Sequence, residues 1–120
     1  MTTVKIGEAI YSILKKFDKV YPCIADQGTT FPFIIYRRSS GYSLSSKDGI
    51  YSVKCTIDVI VAAAEYQDGV DVAEDVIQTM EAARGNIAGF SIDHIRMIDS
   101  NETVVDKAFV QEMRFEVEFS

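Results

Sequence analysis

The chain has 120 residues, 48% of them hydrophobic and 25% charged, a balance that supplies one domain with a core and excludes a disordered polymer. Its formal net charge of −6 repels phosphate and its longest basic run is Arg37-Arg38, so sequence-specific nucleic-acid binding is not expected. No stretch approaches the ~18 to 20 consecutive apolar residues of a membrane span, and the N-terminal residues do not have the continuous apolar region of a signal peptide. No membrane partner is expected.

In chain order, Ile6, Ile10, Ile13, Leu14 and Phe17 recur at helical spacing and predict an amphipathic helix. Thr2 or Thr3 is placed to cap it, and Asp18 with Tyr21-Pro22 to end it. The segment from Val20 to Thr30, with Pro22 and Gly28, has the chemistry of a loop. Phe31 to Arg38 is aromatic and β-branched around Phe33, Ile34, Ile35 and Tyr36, and predicts a strand with Pro32 at its start. The serine- and glycine-rich segment from Ser39 to Gly49 follows. It exceeds the ~2 to 5 residues of an ordinary hairpin turn and is expected to project as a polar loop or binding arm.

From Tyr51 to Val61 apolar and polar residues alternate, predicting a strand with one face buried and one in water. A second helix follows. Asp68 is placed to cap it, Asp71, Glu74 and Asp75 put negative charge in its opening turns, and Arg84-Gly85 closes it; Ala73, Val76, Ile77, Met80 and Ala83 form its apolar stripe. Two more strands, Phe90 to Ile98 and Ala108 to Phe119, are predicted on either side of a polar turn. In the last, Phe109, Gln111, Met113, Phe115, Val117 and Phe119 face one way and Glu112, Arg114, Glu116 and Glu118 the other. The expected fold is α+β in the order α-β-β-α-β-β, one domain over 1–120. It is a mostly antiparallel sheet of four to five strands with two helices on one face.

Catalytic chemistry finds little to work with. His94 is the only histidine and reads as a hydrogen-bonded strand residue rather than a catalyst. Cys23 and Cys55 match no metal or redox spacing and read as buried, reduced thiols. The seven glycines form no phosphate loop, and the carboxylates belong to solvated faces. The expectation is a protein that is not an enzyme, with no cofactor, no metal and no small-molecule substrate. Arg37 and Arg38 lie beside Tyr36 and Tyr42, but neighbouring strand residues point to opposite faces, and surface ion pairing is the simpler role. In the arm, Tyr42 and Leu44 are the candidate anchors for a neighbouring subunit, with Arg37 and Arg38 as further interface candidates.

The residues Tyr21, Pro22, Gln27, Gly28, Thr29, Pro32, Phe33, Ile34 and Tyr36, followed by Asp58 and Val59 in a long alternating strand, occur in an order that resembles the tail completion proteins of tailed bacteriophages and prophages. The resemblance covers nearly the whole chain, although the C-terminal half contributes only strand patterning. It implies a structural protein of the virion tail, assembled in the bacterial cytoplasm, that joins head to tail or terminates the tail tube. In that role it would act as a homo-oligomeric ring, six copies in this reading, beside tail-tube and head-connector proteins. The alternative from another class is a small dimeric α+β domain that binds a ligand or regulates.

Overall fold

The computed structural model describes residues 3–45 and 51–120, the side chains of 42–45 and 51–52 excepted. The elements are α1 (Ile6–Leu14), β1 (Val20–Pro22), β2 (Phe33–Ser45), β3 (Tyr51–Ala63), α2 (Tyr66–Ala82), β4 (Gly85–Ile87), β5 (Phe90–Val105) and β6 (Ala108–Phe119). They build one six-stranded sheet in the order β1-β2-β3-β6-β5-β4. Every neighbouring pair is antiparallel except β1 and β2, which run parallel. The sheet is therefore mixed and wider than the four to five antiparallel strands expected.

Period-two alternation creates the core. Val53, Cys55, Ile57, Val59 and Val61 of β3 are at most 1% exposed and lie on the same face as Met113, Phe115, Val117 and Phe119 of β6. Both helices cover that face, α1 with Ile6, Ala9, Ile10 and Leu14 and α2 with Ala73, Val76 and Met80. Of the expected apolar stripe of α2, Ile77 and Ala83 are only partly buried. The sheet curls around this layer, since α1 touches β1 and β2 near one edge and β4 at the other.

The structure departs from the sequence reading mainly where backbone pairing overrides composition. Val20 to Pro22, expected as loop, adds a short strand beside Ile34 to Tyr36. Pro22 has no N–H to give, and the Cys23 N–H bonds the Tyr36 carbonyl at 2.9 Å instead. At the Ser39–Gly49 segment, β2 does not stop at Arg38: it continues to Ser45, paired with Tyr51 to Thr56 of β3. Serine and glycine are poor strand formers, but an adjacent strand of matching length satisfies their backbone groups, and that outweighs propensity. A bulge between Arg38 and Ser40 takes up the register and sets Ser39 and Ser40 over one residue, each hydroxyl 2.7 Å from Thr56 Oγ1. The rest of the expected arm, 46–49, lies outside the described residues.

A second correction has the same cause. The expected polar turn at Asp99 to Asp106 is strand as far as Val105, paired with β6 down to Val105 opposite Ala108. Asp106 and Lys107 alone make the turn, with φ of 48° and 68°, the left-handed pair that a two-residue hairpin requires. Lysine is an unusual occupant of such a site, which hides the hairpin from a sequence reading. The short β4 was likewise not foreseen.

The helix ends differ as well. Thr3 makes no side-chain cap: its carbonyl receives the Ile6 N–H, and α1 starts after Lys5 and ends at Leu14. Thr2 lies outside the described residues. Asp68 sits inside the first turn of α2, which begins after an extended Glu65, and Gly85, with φ of 85°, opens β4 rather than closing the helix. Thr3 has another use. It lies directly over Gly41, where a β-carbon would overlap its side chain, and Arg38 Nη1 donates to Thr3 Oγ1 at 2.8 Å.

Candidate functional site

The face of the sheet turned away from the helices carries the charged residues. At one level across four strands, Arg37 of β2 is opposite Asp58 of β3, Asp58 opposite Arg114 of β6, and Arg114 opposite Asp99 of β5. Cations and anions alternate along this rung, an arrangement in which every directly opposed cross-strand pair is attractive. Arg114 Nε donates to Asp58 Oδ1 at 2.9 Å and Arg37 Nε to Asp58 Oδ2 at 3.3 Å. Asp58 itself is 7% exposed. The sequence reading put it on a water-facing surface, but the two long guanidinium side chains lie across it. Its carboxylate raises the pKa of Arg114 above the ordinary arginine value, chiefly through the hydrogen bond, with Asp99 and Glu112 adding charge.

Toward the β4 end the pattern repeats around Glu116. Its Oε1 lies 3.2 Å from Arg96 Nη2, 3.9 Å from His94 Nε2 and 4.0 Å from Lys54 Nζ. His94 Nδ1 is also 3.5 Å from Glu118. The imidazole thus borders two carboxylates, Glu116 and Glu118, on an exposed sheet face. On the other face, beside α2, Gln111 and Tyr66 both donate to Glu102 Oε2, at 2.8 and 3.0 Å. These bonds hold the Glu102 carboxyl below its usual range and raise the Tyr66 hydroxyl.

The hollows near these clusters are open and shallow. One of about 70 Å³ lies over the charged rung, between Arg37, Asp58, Asp99 and Arg114. Another of about 240 Å³ lies between Tyr66, Val104 and Phe109 at the β5–β6 turn. The arrangement pairs charges across neighbouring strands. The cysteines correct one expectation, since Cys55 is buried but Cys23 is exposed. Burial pushes the Cys55 thiol up to about 11, against the opposing pull of Arg38.

The four sequence-derived interface candidates share one strand but not one site. Arg37 is engaged with Asp58 on the outer face, while Arg38 reaches the other face and binds Thr3, so the expected divergence of the two arginines holds. Tyr42 and Leu44 stand in β2 opposite Lys54 and Ser52, and their side chains lie outside the described residues. The Asp58 cluster was not foreseen. Nothing local marked it, because Asp58 occupies one of the alternating polar positions of its strand, after Ser52, Lys54 and Thr56.

No family model matches the chain, and no curated protein does either. Solved structures do. A chain from the virion of a native gene transfer agent particle superimposes with a TM-score of 0.71 at 12% identity, over 92% of this chain and 83% of that one. The two share one fold. A second solved chain matches less closely, with a TM-score of 0.53 at 16% identity over 96% of this chain and 93% of its own. Identities this low make the likeness one of fold. No helix among the described residues is long and apolar enough to cross a membrane.

Proposed function

We propose that this chain is a structural, non-catalytic subunit of a phage or prophage virion. It joins or terminates the tail tube at its head-proximal end as a homo-oligomeric ring, in contact with tail-tube and head-connector proteins. It is made in the bacterial cytoplasm and stays in the virion tail. The observation that carries this reading is the likeness of fold, over 92% of the chain, to a component of a gene transfer agent virion. The distribution of polar groups fits it. The buried carboxylate of Asp58 is held by two arginines, an arrangement that rigidifies a sheet face.

The test is genetic and structural together. Deleting the gene from the phage or prophage that carries it should leave filled heads and separate tails, visible by negative-stain electron microscopy. Complementation with the intact gene should restore joined particles. Normal virions from the deletion strain would refute the reading. Restoration by wild type but not by a folded His94→Gln variant would refute its non-catalytic part.

A further inference from the structure

The helix-bearing face of the sheet is not covered to its end. Where β3 runs into α2 and β5 turns into β6, Glu102 stands opposite Gln111 and Val104 opposite Phe109. By alternation these residues share a face with Met113 and Phe115 of the core. The first residue of α2 is Tyr66, and its ring meets that of Phe109 edge-on, with centroids 5.8 Å apart and planes at 80°. Nothing lies over the far side of this corner among the described residues, so Val104 remains 60% exposed and Tyr66 46%.

The hollow that these side chains bound is about 240 Å³, below the ~300 to 1,000 Å³ of pockets that enclose a small molecule. A free metabolite would keep much of its surface in water there. Its wall is apolar and aromatic, with one carboxylate at the rim. Glu102 Oε2 receives two neutral donors, the Gln111 amide and the Tyr66 hydroxyl, while Oε1 receives none among the described residues. Neutral donors fix a carboxylate and keep it ionised without cancelling its charge. No cation is within ion-pair distance of Glu102 among the described residues. The start of α2 adds the exposed carboxylates Glu65 and Asp68, and the β5–β6 turn adds one charge of each sign, Asp106 and Lys107.

We infer that this hollow receives an arginine side chain presented by a neighbouring protein subunit, its stem along Val104, its guanidinium beside the Tyr66 ring and donating to Glu102 Oε1. Charge complementarity selects this occupant. A purely apolar side chain would bury Glu102 without a counter-charge, and an acidic one would be repelled. Lysine supplies the charge but not the planar fork that matches a carboxylate and an aromatic ring together. Arginine and tyrosine are also residue types in which the energy of protein contacts concentrates. The contact stands on the geometry of the hollow and does not require the ring reading; it names what a partner must present at this corner.

Amide NMR spectra of the isotope-labelled full chain test it, with n-butylguanidinium as the probe and N-butylurea as its neutral isostere. The cation should shift the amides of Thr103, Val104 and Gln111 saturably in the millimolar range, and the urea should not. Glu102→Gln alters an exposed position, and a thermal melt confirms that it folds; it should weaken binding roughly fivefold, as loss of an exposed ion pair does. No saturable shift, an equal response to both probes, or an unchanged affinity in Glu102→Gln would overturn the site, and the comparison of the two probes on wild type needs no variant. In the complementation assay above, Glu102→Arg puts a cation where the partner's should dock and should leave heads and tails separate. Joined particles from that variant would overturn the partner's part in assembly. Normal virions from the deletion strain would refute the ring reading alone, and the titration would still decide whether the hollow takes a guanidinium.

Discussion

Replacing Phe115 by Ala tests the architecture at its centre. Phe115 is fully buried in β6, opposite Ile57 of β3 and Met97 of β5, on the face both helices cover. Removing a ring from such a place loses its transfer free energy and leaves a cavity, a combination that costs roughly 3 to 5 kcal/mol. Strands on both sides and helices above restrict collapse into the gap, so the cost should fall in the upper half of that range, about 4 kcal/mol. Against a total stability of about 5 to 15 kcal/mol, that is a large fraction. With a urea slope of about 2 kcal/mol per molar, the midpoint should drop by about 2 M at unchanged slope. Glu116→Ala, one residue on, removes surface ion pairs and should shift the midpoint several-fold less. Urea titrations followed by circular dichroism measure both. Equal midpoints for the two variants would show that the faces of β6 are reversed and that the core is elsewhere.

Three further outcomes follow from particular contacts. Gly41→Ala should destabilise by about 1 to 3 kcal/mol through overlap with Thr3, and most of that loss should vanish in a Thr3→Gly background; an equal loss in both backgrounds would mean that the strain arises elsewhere. Asp58→Asn leaves two guanidinium groups facing an amide and should lower the melting temperature more at low salt than at high salt, by about 1 to 2 kcal/mol in equivalent free energy; an unchanged melt would remove the charged rung from the stability of the sheet. Thiol labelling of the native protein should stop at one equivalent, on Cys23, with Cys55 reacting only after unfolding. The folded Cys55 thiol sits at about 11 against an unfolded value near 9.0. The raised pKa therefore adds stability below pH 9 that is lost as pH rises from 9 to 11, and an alkaline melt that does not decline over that interval would contradict it.

The helices and the inward faces of the long strands were legible because apolar periodicity reports burial directly, as in Val53 through Val61 and Ile6 through Leu14. The full lengths of β2 and β5 were not. Ser39 to Ser45 and Asp99 to Val105 are strand because neighbouring strands satisfy their backbone groups, and no local composition encodes a neighbour. The turn at Asp106-Lys107 was hidden for a related reason, since the left-handed conformation falls on residues that rarely take it. The Asp58 cluster depended on register. Arg37 is 21 positions and Arg114 is 56 positions away along the chain, and only the pairing of three strands brings them to one level.

Along the long uncovered edge of β5, the Met97 N–H donates to Glu81 Oε2 of α2 at 3.1 Å. An open strand edge is a template on which another chain can lay its backbone and begin an amyloid-like stack. A carboxylate fixed to one donor midway along the row breaks the template into shorter pieces and sets a negative charge against any strand that approaches. Glu81 thus blunts this edge as a template for strand addition.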